Sequence, residues 1–259
     1  MKIRFMIAVL LLAVSLPYAF AQTEQWKVSS STHFFIYYKN APADFIEKLT
    51  EQAEGNYDRI TEELGFRRFN FWLWDNRAKI YIHDDAVSYQ ASTGQPAWSA
   101  GVAVPQQKTI QTFLNAQGFF DSVLPHEMAH IIFREFVGFQ NNGVPRWLDE
   151  GVASYQGSMD SGTMKNIITH AIEKKSFMEL EELARVNLFL TQDQEVVNLF
   201  YAEAASVVNY LMKEFGADSF VSFCQQLRDK QNLQSALASA YSFAGLQELG
   251  EKWYKYLNK

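Results

Sequence analysis

The stretch VLPHEMAHIIFREF, Val123 to Phe136, decides how this chain is read. Met128, Ala129, Ile131, Ile132 and Phe133 make it apolar, yet it also holds His126, Glu127 and His130. Positions four apart share one face of a helix, so His126 and His130 present both imidazoles to one point, with Glu127 on the neighbouring face. On a helix, H-E-x-x-H is the pattern of two zinc ligands and a general base. The apolar surround strengthens the electrostatics of such a cluster. Pro125 fits only in the first turn, where no N–H is needed, and Ser122 is the expected N-cap.

A catalytic zinc takes a third protein ligand and keeps one position open. In the longer pattern H-E-x-x-H-x-x-G-x-x-H, the glycine and last histidine would fall at Phe133 and Phe136, so that source is excluded. The other source is a glutamate on a following helix. VPRWLDEGVASY supplies Glu150, with Asp149 and His170 as rival candidates. Asp149 and Ser154 are also candidates to orient ligands by hydrogen bonding.

Working outward, WKVSSSTHFFIYY alternates and is rich in aromatic and β-branched residues, which predicts a strand ending near Tyr38. Phe45, Leu49, Ala53, Tyr57, Ile60 and Leu64 recur at helical spacing, and Gly65 follows where the helix stops. RAKIYIHDD predicts a second strand, and WSAGVAVPQQKTIQTFL predicts two short strands turned around Pro105 to Gln107. FNFWLWD, Phe69 to Asp75, is expected to pack on the core as a strand or loop. His33 and His83 flank strands and are expected to be surface or hydrogen-bonded histidines. Beyond Gly118 the pattern is helical, over about 122–136, 146–156, 161–175, 194–214, 217–228, 232–241 and 245–257. Strands first and helices later indicate an α+β fold.

Residues 1–21 carry Lys2 and Arg4, an apolar run from Phe5 to Leu16 and the small-x-small site Ala19-Phe20-Ala21. This is the pattern of a signal peptide cut after Ala21, too short for a comfortable membrane span. The expectation is an exported protein, periplasmic or extracellular, beginning at Gln22, with no stable membrane insertion after cleavage. The chain has a formal net charge of −6 and no block of basic residues, which argues against nucleic acid as a partner. One cysteine, Cys224, permits no internal disulfide and reads as a small core residue.

LPHEMAH followed by WLDEGVASY resembles the gluzincin metallopeptidases, whose helix after the zinc helix often reads W-L-x-E-G-x-A. HFFIYY, KIYIHDD, SAGVAV and EKWYKYL, in that order, resemble the peptidase MA-like domain. The resemblance implies a zincin-like fold: a small N-terminal mixed β-sheet with the active-site helix (lobe about 22–137), then a helical C-terminal lobe (about 138–259). It further implies one Zn2+ held by His126, His130 and Glu150, Glu127 as catalytic base, and a peptide or protein substrate. YAEAASVVNYLMKEFGADSF is similar to the zinc aminopeptidases related to aminopeptidase N, which places Tyr201 where a tyrosine hydrogen-bonds the oxyanion; packing in the core is its competing role. Those enzymes carry G-x-M-E-N before the zinc helix, and its glutamate holds the substrate amine. The matching stretch here, GVAVP, has no acid, so aminopeptidase specificity is not expected. Gly101, Val102, Ala103 and Val104 remain as a strand that offers backbone groups to an extended peptide. The reading is an exported zinc metallopeptidase, an endopeptidase. Its alternative is a catalytically silent zincin-fold binding or assembly protein of the cell envelope, against which Glu127 argues, since a structural zinc needs no base.

Overall fold

The computed structural model describes residues 25–69, 71–157, 161–188, 190–191 and 193–258. The signal segment and its cleavage site lie outside the described residues. Five strands form one mixed sheet in the order β1-β2-β3-β5-β4: β1 (Lys27–Ser30), β2 (Phe34–Tyr38), β3 (Ala78–His83), β4 (Gly101–Val104) and β5 (Thr109–Phe113). β2, β3 and β5 run parallel, while β1 and β4 are antiparallel edges. One correction to the sequence reading falls here. The stretch ending at Tyr38 is a hairpin of two strands, closed by a bond from the Ser31 N–H to the Phe34 carbonyl. No glycine or proline marks the turn, so alternation alone ran the two strands together.

Residues alternate across the sheet. Phe34, Ile36, Ile80, Ile82 and Ile110 are fully buried, and their strand neighbours Phe35, Tyr37, Lys79, Tyr81 and Gln111 are not. Helix α1 (Ala43–Glu63) buries Ile46, Leu49, Ala53, Tyr57 and Ile60, the spacing of one helical face. Each such side chain contributes about 1.5–3 kcal/mol when removed from water. A short helix, α2 (Ala86–Thr93), follows β3 and begins at a capping box in which Asp85 accepts from Ser88 N–H. Of the stretch Phe69 to Asp75, the described residues form no strand: Trp72 is fully buried and its indole donates to Glu135, while Trp74 is exposed. His33 pairs with Glu54 and His83 with Gln111, as hydrogen-bonded histidines. Cys224 is buried in the core.

After β5 the chain is helical: α3 (Leu124–Val137), α4 (Arg146–Gly157), α5 (Ser161–Lys174), α6 (Leu180–Leu183), α7 (Gln194–Lys230), α8 (Leu233–Tyr241) and α9 (Leu246–Leu257). The expected N-cap at Ser122 is not found. A wide π-type turn, Phe119–Val123, leads directly into α3, and the Ser122 hydroxyl donates back to the Gly118 carbonyl. Pro125 does sit in the first turn of α3, where it breaks no bond. α7 is two helices end to end, because Gly216 (φ 78°, ψ 170°) leaves helical geometry between them. α4 lies between α3 and α7. Gly151 permits that approach: a Cβ there would fall 2.5 Å from the Ala204 carbonyl oxygen of α7. No described helix is long and apolar enough to cross a membrane.

Candidate active site

Helix α3 buries Met128, Ala129, Ile131, Ile132, Phe133 and Phe136, which leaves His126, Glu127 and His130 on its remaining face. Phe136, where a third histidine would stand in the longer motif, stacks on Phe66 with ring centroids 4.0 Å apart. Helix α4 brings Glu150 to the pair. His126 Nε2 and His130 Nε2 lie 3.2 Å apart, and Glu150 Oε2 lies 3.7 Å from the first and 3.5 Å from the second. His170 is exposed on α5 and stands outside this group, and Asp149 lies behind it.

The three residues fit a metal ion on geometry and on chemistry. Zinc bonds of about 2.0–2.2 Å at tetrahedral angles set donors about 3.3–3.6 Å apart. The observed separations bracket that range. Glu150 Oε2 is buried and has no hydrogen-bond partner, a costly state that a cation in the gap would relieve. Electrostatics point the same way. Burial, then the charge of His130, lowers the His126 pKa to about 4, so its imidazole is neutral and carries a lone pair. For His130 burial is the largest influence and pulls its pKa down, but Asp149 and Glu150 outweigh it and hold it well above the ordinary value. The carboxylates thus favour a positive charge at this point.

The His130 ring is held from behind by a hydrogen bond. Asp149 Oδ1 lies 3.0 Å from His130 Nδ1, and its Oδ2 accepts from Arg134 Nε at 2.8 Å. The Nδ1 side of His130 is therefore occupied and Nε2 faces the cluster. Asp149 is hydrogen-bonded to His130 and lies outside the His126, His130 and Glu150 group that could hold an ion. At His126 the backbone of Ala153 acts to favour the protonated ring, a smaller influence than burial. Ser154, expected to share this work, is buried but makes no hydrogen bond to the cluster among the described residues. Arg134 was not anticipated, although it stands four residues after His130 on the same face. Ala153 carries no signal in a sequence, because every residue has a backbone.

Glu127 Oε2 accepts from the backbone N–H of Ala103 at 2.8 Å, which ties the expected base to the edge strand β4. Burial raises the Glu127 pKa, opposed by the charge of His130 and by the Ala103 bond. Gly101 to Val104 form β4 as expected, with one edge paired to β5 and the strand packed against α3. On the opposite wall, the Tyr201 ring of α7 stands 6.4 Å from that of His126, centroid to centroid. Burial, followed by the charge of Glu150, raises its pKa to about 12, so the phenol keeps its proton. Its hydroxyl makes no hydrogen bond among the described residues, unlike that of a typical core tyrosine. Tyr155 of α4 lies within the charge influence of Glu63 and Arg59 of α1.

Among curated proteins none is significantly similar to the chain. The model of one family matches residues 74–259, well over half of the chain and all of α3 and α4. On that match, and with the His-His-Glu cluster in place, the chain belongs to the Peptidase MA superfamily.

Proposed function

We propose that this protein is a zinc-dependent peptidase that cleaves peptide bonds within chains, with His126, His130 and Glu150 as ligands and Glu127 as general base. The observation that carries the proposal is the convergence of two imidazole nitrogens on a carboxylate oxygen, Glu150 Oε2, that has no other partner. When bound there, zinc supplies Lewis acidity and a lowered water pKa. Glu127 accepts the proton of the attacking water and returns it to the leaving amine. Its tether to Ala103 keeps the carboxylate beside the cluster without joining it. Asp149 holds the His130 imidazole in line, and Tyr201 donates to the oxygen that gains charge in the transition state. Strand β4 receives the extended substrate through backbone groups other than the Ala103 N–H. Export rests on the sequence of residues 1–21 alone.

Digestion of an unfolded protein such as reduced casein, with and without a chelator, tests this reading. Activity should vanish with the chelator and return with zinc. Glu127→Gln should retain about one zinc and the fold while losing nearly all turnover, because its amide fills the space but takes no proton. Parental turnover by that variant would remove Glu127 as the base, and a lack of chelator-sensitive digestion by the unsubstituted protein would leave a zinc-binding scaffold as the reading.

A further inference from the structure

Two of the non-glycine residues with left-handed backbone, Trp72 (φ 64°) and Lys108 (φ 49°), send their side chains to one carboxylate. The Trp72 indole donates to Glu135 Oε2 at 2.5 Å, and Lys108 Nζ donates to Glu135 Oε1 at 2.9 Å. A left-handed backbone is costly for a residue with a Cβ, and it persists only where the surroundings over-determine it. Glycine would suit the backbone at Lys108 better. What holds a lysine in that conformation is the set of bonds its side chain makes. The ammonium has three donors, and they meet three acceptors: Glu135 Oε1, the Asn76 carbonyl at 3.3 Å and Asn76 Oδ1 at 2.5 Å. The ion pair is sheltered, with its side chains 15% and 16% exposed, so solvent screens it less than a surface pair.

The place of this pair in the fold gives it a use. Lys108 ends the turn Pro105–Gln107 that joins β4 to β5, and its N–H closes that turn on the Pro105 carbonyl at 2.9 Å. Glu135 stands on α3, eight residues after Glu127, which is about 12 Å along the axis. Glu127 itself accepts from the Ala103 N–H of β4. β4 is an edge strand, so only β5 holds it within the sheet. Side chains of α3 hold it from outside the sheet at two points: Glu127 meets the strand directly, and Glu135 meets the turn that follows it.

We propose that Lys108 and Glu135 are positioning residues, a clamp that holds the β4 edge against α3 and so keeps Ala103 on Glu127. Its effect on turnover rests on the metallopeptidase reading of the site; the clamp itself does not. Neither residue touches substrate or moves a proton. With the clamp open, β4 is free to leave α3 at the turn, the Ala103 N–H parts from Glu127 for more of the time, and the base loses the bond that aims it.

Lys108→Gly removes the clamp and eases the left-handed turn, so the fold should survive it. Glu135→Gln keeps an acceptor for the Trp72 indole and removes only the charge, and Lys108→Arg keeps the charge. Amide hydrogen exchange is followed by NMR on the zinc-loaded proteins, at Ala103 and at Ile80 and Ile82 of the central strand β3, and kcat/KM is measured on reduced casein. In Lys108→Gly, exchange at Ala103 should quicken about tenfold or more beyond any change at Ile80 and Ile82, the scale of one hydrogen bond to a charged group. Turnover should fall about tenfold with zinc near one per chain. Glu135→Gln should act in the same direction, and Lys108→Arg should restore part of both losses. Unchanged exchange at Ala103 overturns the inference. Equal quickening at all three amides also overturns it, because the pair would then add only general stability. Loss of zinc does so too, since the pair would then act on the ligands of α3, as does faster exchange at Ala103 with parental turnover. Turnover by the unsubstituted protein with unchanged exchange at Ala103 in the variants removes the clamp and leaves the peptidase standing. The expected exchange pattern with no turnover by the unsubstituted protein does the reverse.

Discussion

Replacing Asp149 with asparagine distinguishes holding a metal from orienting its ligand. The carboxylate meets His130 Nδ1 at 3.0 Å through one oxygen, and Arg134 at 2.8 Å and 2.7 Å through the other. Burial would raise its pKa, yet the charge and hydrogen bond of His130, then Arg134, hold it below the usual range. Asparagine keeps the shape, and its carbonyl oxygen can still accept from His130. Its amide group then faces the Arg134 guanidinium, donor against donor, and the charge that made His130 more basic is gone. Loss of such an outer partner lowers metal affinity by about 10–100-fold, which is about 1.4–2.7 kcal/mol. Breaking a fully buried ion pair costs about 3–5 kcal/mol. Here the two side chains are 17% and 18% exposed, so the loss of stability belongs near the lower end. Zinc affinity is read by competition with a chromogenic chelator. Stability is read by urea denaturation of the zinc-free protein, so that ligand binding adds nothing to the curve. An unchanged zinc affinity would refute the orienting role. A folded variant that takes up no zinc even in excess would make Asp149 a ligand and displace Glu150 from the set.

Other substitutions address separate parts of the site. Tyr201→Phe should lower kcat by about 10²–10³ with little change in KM, as for other oxyanion donors; near-normal kcat with a reduced melting temperature would return Tyr201 to the core. Acetylating the amino terminus of a peptide should not prevent cleavage, since β4 offers no acid to hold a free amine and the nearby Asp84 and Asp85 are bonded to Asn40 and Ser88. Strict release of single N-terminal residues would contradict that. Away from the site, burial raises the pKa of Glu203 to about 8 from 4.5, so this acid takes up a proton on folding. The native state then binds more protons than the unfolded one, and stability should fall as pH climbs through that window, by at most about 1.4 kcal/mol per unit. Glu203→Gln should flatten the curve while preserving the acceptor for the Met178 N–H, and parallel urea-denaturation curves for the two proteins would show that Glu203 does not titrate this way.

The parts of this molecule that were legible in the chain are those where physics demands a residue type at a spacing. The apolar period of α1 and the alternation of β3 and β5 prescribe which faces are buried, and the sheet and helices follow. The His126, His130 and Glu150 cluster is legible for the same reason: only certain side chains suit a zinc ion, and two of them four apart must share a face. Elements that depend on backbone path were harder to read. The turn at Ser31 to His33 has no glycine or proline, and the wide turn at Phe119–Val123 uses Ser122 in a way that mimics a cap in sequence alone.

The orienting partners divide along the same line. Asp149 was legible because an imidazole N–H beside a ligand is often met by a carboxylate, and an acid adjoins Glu150 in the chain. The backbone of Ala153 acts on His126 and could be supplied by any residue at that position. What a sequence withholds about such a site is therefore not its chemistry but which backbone groups aim it, and these are set by how α4 packs against α3 and α7. A Cβ on Gly157, at the end of α4, would fall 2.5 Å from the Cβ of His126. The close packing of α4 on His126 needs the last residue of α4 to have no side chain. A glycine just past the Glu150 stretch thus helps to set how His126 is placed.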